Sequence, residues 1–91
     1  MSVLVRIPAP LRKVAQGKDR TTVEAKNLSQ ALTALEHQFP GIKERIMDES
    51  GALRTFVNIY VNGEDVRFLK GLETEVKPND EVSIVPAVAG G

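Results

Sequence analysis

Apolar and polar residues alternate at the start of the chain, in the stretch SVLVRI. Val3, Val5 and Ile7 fall on one side of an extended chain, and this period of two predicts a β-strand with an apolar face. Turn-forming residues follow in AQGKDR, and the β-branched stretch RTTVEA then places Val23 and Ala25 on one side. We therefore predict a hairpin-like return into a second strand.

The apolar period changes in the stretch NLSQALTALEHQF. Large apolar residues recur there at spacings of four, three and four, which predicts an amphipathic helix. The apolar stripe of this helix consists of Leu28, Leu32, Leu35 and Phe39. Asn27 is a favourable N-cap, and Pro40 with Gly41 should end the helix. The following stretch IKERIM is expected to form one short extra helical turn before the loop DESG.

Alternation returns in the stretch TFVNIYVN, which predicts a third strand in a central position of the sheet. Its strictly aliphatic face consists of Val57, Ile59 and Val61, and its other face of Phe56, Asn58 and Tyr60. Asn62 and Gly63 then predict a tight turn. The stretch DVRF is expected to form a short fourth strand, followed by the irregular segment LKGLETEV.

The last alternating stretch is EVSIV, after a turn at KPND. It predicts a final strand with Val82 and Ile84 pointing inward, and Pro86 should end the hydrogen-bond ladder because proline has no N–H group. One amphipathic helix among several strands is typical of an α+β protein. We predict a mixed sheet with the helix packed on one face.

Composition limits what this domain does. A chain of 91 residues has room for one small domain, and the absence of cysteine excludes a disulfide framework or a thiolate site. Lys plus Arg and Asp plus Glu number 12 each, and the basic residues are scattered, so no nucleic-acid partner is expected. The start MSVLVRIPAP resembles neither a signal peptide nor a membrane span. We therefore expect a cytoplasmic protein with no membrane partner.

No cluster of side chains in the sequence suggests an active site. His37 lies off the apolar stripe and has no cysteine or second histidine to share a metal, so we predict a solvated residue and no metal site. Three acidic pairs lie in predicted turns, where polar residues are expected without catalysis. These pairs are Asp48 with Glu49, Glu64 with Asp65, and Asp80 with Glu81.

The final stretch PAVAGG carries the strongest functional signal. It is apolar until its end, unlike a Gly/Ser linker, and its side chains become smaller toward the last residue. Extended, the residues 86–91 span roughly 20 Å, enough to thread a narrow channel in a partner. The reacting group would be the ionised α-carboxylate of Gly91, activated by adenylation with ATP on that partner. The simpler alternative is a frayed tail without a role.

With these motifs the chain resembles the ubiquitin-like β-grasp sulfur carriers of the MoaD/ThiS family. The stretches FPGIKERIMDESGALR, FVNIYVN, EDVRF and PAVAGG look most like the CysO-type sulfur carriers of cysteine biosynthesis. The resemblance implies a β-grasp domain over residues 1–85 and a flexible Gly-Gly tail over residues 86–91. It also implies a carrier, not an enzyme.

The resemblance further implies a set of partner enzymes. An E1-like, zinc-containing adenylyltransferase and sulfurtransferase would adenylate Gly91 and exchange AMP for sulfur, leaving a thiocarboxylate. A PLP-dependent cysteine synthase would transfer that sulfur to an aminoacrylate formed from O-phosphoserine. A zinc metalloprotease would release the product and restore the Gly-Gly end. ATP, PLP and zinc would belong to these partners, and the chain itself would bind no cofactor.

The site residues are assigned from the tail and the third strand. Gly91 and Gly90 form the reacting end, and the arm that contacts the partner consists of Pro86, Ala87, Val88 and Ala89. We predict a docking surface around Tyr60, Arg67 and Phe68, beside Phe56 and Asn58. The alternative is that Phe56 and Phe68 belong to the core.

Three other functions stay open at this stage. The chain could be the small subunit of molybdopterin synthase, which uses the same sulfur chemistry. It could be a protein modifier that joins Gly91 to lysines of target proteins, as ubiquitin-like proteins do. Finally, it could be a plain interaction module whose tail is incidental.

Overall fold

The computed structural model describes residues 2–54 and 57–86 of the chain. The strands are β1 (Val3–Arg6), β2 (Arg20–Val23), β3 (Val57–Val61), β4 (Glu64–Asp65) and β5 (Glu81–Pro86). The helices are α1 (Leu28–Gln38) and α2 (Lys43–Ile46). Short 3-10 helices span Ala9–Leu11, Val66–Phe68 and Gly71–Glu73. Within these described ranges, no helix is long and apolar enough to cross a bilayer.

The strands form one mixed sheet in the order β2-β1-β5-β3-β4. β5 runs parallel to β1, and every other neighbouring pair is antiparallel. The prediction that β3 is central is confirmed, because β3 is flanked by β5 and β4, although β5 occupies the middle of the sheet. An aliphatic inner face is common to all interior strands, so the alternation alone does not distinguish their order.

The core lies between one face of the sheet and α1. The predicted inward residues of β1, β3 and β5 are all buried, and so is the predicted stripe of α1. These residues are Val3, Val5, Ile7, Val57, Ile59, Val61, Val82, Ile84, Leu28, Leu32, Leu35 and Phe39. The predicted α+β architecture with one main helix on one face is confirmed.

Both ends of α1 are stabilised by side-chain contacts. The Asn27 side chain accepts the N–H of Gln30 at 2.8 Å, which confirms the predicted N-cap. Beyond the other end, Gly41 has φ +99°, a left-handed conformation that favours glycine. The backbone N–H groups of Gly41 and Lys43 both donate to the Glu36 carboxylate at 2.9 Å. The predicted extra helical turn is confirmed as α2.

The segment after β3 differs in part from its prediction. Asn62 and Gly63 form the expected tight turn, with φ values of +53° and +87°. The expected strand over DVRF is wrong, since β4 contains only Glu64 and Asp65. The Asp65 carboxylate accepts the N–H of Arg67 at 2.9 Å and so caps the 3-10 helix Val66–Phe68. The segment predicted to be irregular also contains the 3-10 helix Gly71–Glu73.

Candidate functional site

The end of β5 marks the place where the predicted tail begins. Since β5 is parallel to β1 and antiparallel to β3, the last residue of β5 lies at the same edge as the end of β1 and the start of β3. Pro86 is still in register there, opposite Val57. We name this the tail edge of the sheet. It comprises the ends of β1 and β5, the start of β3, and the connections 8–20 and 39–54 that meet there.

The predicted reacting end of the molecule lies beyond the described residues. Gly90 and Gly91, with the predicted arm residues Ala87, Val88 and Ala89, are all outside the ranges that the structure describes. Their roles, and the boundary between residues 1–85 and 86–91, therefore stay predictions. The part of the site that can be described is therefore the surface around Pro86, from which residues 87–91 continue.

Arg67 ties together the polypeptide segments beside Pro86. Its Nη1 donates to Asn58 Oδ1 at 2.6 Å, and its Nη2 donates to the carbonyl oxygens of Val57 at 2.8 Å and Arg54 at 3.1 Å. Arg67 is exposed, as expected for a docking residue, but it makes these contacts within the chain. The guanidinium therefore holds the start of β3 in place opposite Pro86.

Phe68 stands out from the surface next to Arg67. Its side chain is 88 % exposed, which excludes it from the core and leaves it free for docking. Leu69 and Val85 are also large apolar residues with substantial exposure, at 41 % and 44 %. Phe56, the other residue of the core alternative, lies outside the described residues.

Val85 was missed by the sequence analysis, although the signal was present. If Val82 and Ile84 point inward, the alternation places Val85 on the outer face of β5, where an apolar residue is unusual. Val85 lies opposite Asn58, and Tyr60, which is half-buried, lies opposite Ser83 on the same outer face. The predicted docking residue Tyr60 and the added residue Val85 therefore share one face of the sheet, and Val85 adjoins the tail edge.

The remaining candidate residues have structural roles or none. His37 is exposed, as predicted, and the described part of the chain has no group of three His, Cys, Asp or Glu residues that could hold a metal. Asp80 accepts hydrogen bonds from the Asn62 side chain and the Lys77 N–H, which lower its pKa. Hydrogen bonds from the Ser50 side chain and the Ala52 backbone similarly lower the pKa of Asp48. These carboxylates stabilise turns.

The sheet wrapped around one helix, with its last strand in the middle and a Gly-Gly sequence beyond it, defines a ubiquitin-like β-grasp protein of the carrier class. The chain belongs to the ThiS family, whose family model matches residues 5–91. It is therefore a small protein carrier and not an enzyme.

Individual relatives agree in sequence and in structure. The chain is 47 % identical over 93 residues to the sulfur carrier protein CysO of Mycobacterium tuberculosis, covering 100 % of both chains. A crystal structure of CysO from the same species has a TM-score of 0.90 at 45 % identity, covering 94 % of this chain and 99 % of that one. A chain in the BexX/CysO complex of Amycolatopsis orientalis has a TM-score of 0.92 at 43 % identity, covering 98 % and 99 %.

Proposed function

We propose that this carrier holds sulfur as a thiocarboxylate on Gly91 and donates it in cysteine biosynthesis. The observation that carries the proposal is the full-length similarity to the sulfur carrier CysO, at 47 % identity. The site supports it, because Val85 is exposed on β5 beside the start of the PAVAGG stretch, and Phe68 is exposed next to Arg67, whose side chain contacts the start of β3. The chain has no cysteine, so no thiol of its own competes for the sulfur.

The proposed chemistry takes place at the terminal carboxylate. One carboxylate oxygen of Gly91 attacks the α-phosphorus of ATP, and pyrophosphate leaves. Sulfide attacks the carbonyl carbon of the adenylate, and AMP leaves with the electrons of the C–O bond. The product is the Gly91 thiocarboxylate. In this scheme the chain supplies the reacting atoms and a surface, and the partner supplies the catalytic groups.

The partners follow from that chemistry. We assign adenylation and sulfur transfer to an E1-like enzyme, use of the sulfur to a PLP-dependent cysteine synthase, and product release to a zinc metalloprotease. ATP, PLP and zinc are bound by these enzymes, in a cytoplasmic pathway. The solved complex of a CysO relative with a second protein supports a carrier that works by docking.

Intact-mass spectrometry tests the first step. After incubation with ATP, sulfide and the cognate activating enzyme, the chain should gain the mass difference between sulfur and oxygen. A variant extended by one residue beyond Gly91 should fold equally well and gain nothing, while Gly91→Ala should react more slowly. An unchanged mass, with an enzyme preparation shown to be active on another carrier, would contradict the proposal.

The second step decides the pathway. The thiocarboxylated chain should form cysteine when supplied with O-phosphoserine and the cysteine synthase. If the chain transfers sulfur only to the large subunit of a molybdopterin synthase, it is the small subunit of that enzyme and does not serve cysteine biosynthesis. Remnants of the C-terminal segment of this chain, joined by isopeptide bonds to lysines in the source proteome, would instead support a protein modifier.

A further inference from the structure

The chain has a formal net charge of zero, but its acidic and basic residues are distributed unequally between two edges of the sheet. We name the edge opposite the tail edge the far edge. It contains the start of β1, the start of β5 and the start of α1, joined by hydrogen bonds. Leu4 N–H donates to Asp80 O at 3.0 Å, and Leu28 N–H donates to Thr74 O at 2.9 Å.

The far edge is acidic. Its segments 62–65 and 73–81 contain only one basic residue, Lys77. The acidic residues of the same segments are Glu64, Asp65, Glu73, Glu75, Asp80 and Glu81. Both segments lie at this edge, since Asn62 Nδ2 donates to Asp80 Oδ1 at 3.0 Å and the Asn62 N–H donates to Glu81 O at 2.8 Å.

The tail edge has the opposite balance. The segment 8–20, which leads from β1 to β2 and includes the first residue of β2, contains one acidic residue, Asp19, and four basic residues, Arg12, Lys13, Lys18 and Arg20. The connection 39–54 contains equal numbers of both signs, three of each. The excess of positive charge therefore lies beside the start of the tail.

The two connections meet at a shallow groove of about 350 Å³. The residues that line it are Pro10, Leu11, Glu44, Arg45, Arg54, Val57 and Ile84. Arg54 is held there, because its Nε and Nη2 donate to Glu44 O at 3.0 and 2.8 Å. Lys13 and Arg45 are exposed, and among the described residues neither side chain has a hydrogen-bond or ion-pair partner. We name as the basic rim Arg45 and Arg54, which line the groove beside Glu44, together with Arg12 and Lys13, which directly follow the lining residue Leu11.

The basic rim adjoins the position from which the tail starts. Val57 lies in the groove wall and opposite Pro86 in the sheet, so a protein that receives the tail must cover the rim or pass close to it. We propose that the basic rim is a docking surface for a partner whose tail-receiving channel is bordered by carboxylates. This inference rests on the proposed function, since it assumes that a partner engages the tail.

The charge separation would also orient the approach of that partner. A molecule with one basic and one acidic edge aligns in the field of an acidic surface with its basic edge foremost. The acidic far edge is repelled by the same field. The tail then reaches the channel before any other part of the carrier, which raises the rate of productive encounters without changing the chemical step.

Charge-reversal variants test the inference in the thiocarboxylation assay. The double variant Lys13→Glu with Arg45→Glu should raise the KM of the activating enzyme for the carrier by about tenfold at low ionic strength and leave kcat unchanged. Its KM should also depend less on salt than that of the wild type. The control, Lys26→Glu with Lys77→Glu, makes the same change in net charge away from the tail edge. It should stay within about twofold of the wild type.

The outcomes separate the inference from the function on which it rests. A wild-type chain that gains no sulfur contradicts the proposed function. A wild-type chain that gains sulfur with the same KM as the rim variant contradicts the basic rim as a docking surface, and so does an equal rise in KM for the control. Binding of the wild type, but not of the rim variant, to duplex DNA in a gel-shift assay would assign the rim to nucleic acid instead. Circular dichroism and thermal unfolding confirm that each variant is folded.

Discussion

Arg67 joins three parts of the chain through a single planar group. Its guanidinium reaches a side-chain amide and two backbone carbonyls, at Asn58, Val57 and Arg54. A lysine ammonium is a point charge on a flexible stem and cannot reproduce this fork of fixed donors. Arg67 therefore has a structural role, because it holds the start of β3 in place at the tail edge.

The substitution Arg67→Lys should lower the free energy of unfolding by about 1–2 kcal/mol, because it loses charged hydrogen bonds to partly buried acceptors. Urea denaturation measures this change. Amide exchange should quicken at Val57, whose N–H donates to Arg54 O at 3.0 Å. As a matched control, Arg6→Lys alters only the exposed ion pair with Glu81 and should cost less than about 1 kcal/mol. Equal stability of the wild type and Arg67→Lys would show that the Arg67 guanidinium does not hold the start of β3 in place.

Phe68→Ala should weaken binding to the activating enzyme and leave stability almost unchanged, whereas Arg67→Lys is expected to lower stability. With 88 % of the side chain exposed, the free energy of unfolding should change by less than about 0.5 kcal/mol. Affinity for the activating enzyme, measured by calorimetry, should fall by more than about 1 kcal/mol if the ring is buried in the complex. The control Phe39→Ala removes a buried ring and should cost about 3–5 kcal/mol of stability. An unchanged affinity would remove Phe68 from the docking surface.

Residue-scale features differ in how far the sequence predicts them. The choice of Phe68 as a surface residue could be made only as one of two alternatives, because a short segment after a turn has no clear period. The contacts of Arg67 could not be predicted, since two of its acceptors are backbone carbonyls ten and thirteen positions earlier. The pattern of side chains along the sequence does not indicate which backbone carbonyl will accept a hydrogen bond.

At the scale of elements, α1 is set by an N-cap at its start and by contacts with the following turn at its end. The N-cap Asn27 was predicted from its type and position. The Glu36 contacts with the Gly41 and Lys43 N–H groups were not predicted, because they depend on how the chain turns from α1 into α2. β4 could not be predicted fully for a similar reason. A strand was expected over DVRF, but Asp65 caps a 3-10 helix there and β4 ends at Asp65.

Glu36 should make this junction sensitive to pH. The backbone hydrogen bonds from Gly41 and then Lys43 hold its pKa below the ordinary value of a glutamate. A carboxylate whose pKa is lower in the folded chain stabilises the fold above its unfolded pKa and loses that contribution as the pH falls through the folded value. Glu36→Gln should therefore be less stable than the wild type at neutral pH, and the gap should narrow in strong acid.

Urea midpoints at both pH values measure the gap. Glu49→Gln is the control, since Glu49 lies in the following loop with no hydrogen bond among the described residues. It should show a smaller gap at neutral pH. A Glu36→Gln gap that stays constant or widens in acid would contradict a role for the charged form of Glu36.

At the scale of the whole molecule, the inner faces of the strands could be predicted and their order could not. Alternation identifies which residues point inward on β1, β3 and β5, and each of those predictions is confirmed. The central place of β5 depends on pairing between strands that are distant in sequence, such as Val5 with Val82. The separation of charge between the two edges arises from the same pairing, so a count of charges along the chain does not reveal it.

Truncation tests the predicted boundary between domain and tail. A chain ending at Pro86 should keep its free energy of unfolding to within about 0.5 kcal/mol and lose thiocarboxylation. A chain ending at Ser83 also loses Ile84, which is buried in the core, and should be destabilised by at least about 2–5 kcal/mol. Thermal unfolding and the mass assay measure both effects. A large loss of stability in the longer chain would move the boundary beyond Pro86.

The middle position of β5 also has a consequence for synthesis. Among the strands that the structure describes, β5 is the last in chain order, and it alone pairs with both β1 and β3. The β1–β2 pair and the β3–β4 pair have no shared neighbour until β5 has been synthesised, so the described sheet closes only after all its other strands have been translated. A nascent carrier that stops short of β5 therefore has neither a closed domain nor an end to activate. Under the proposed function, the strand that completes the sheet directly precedes the segment that would carry the sulfur.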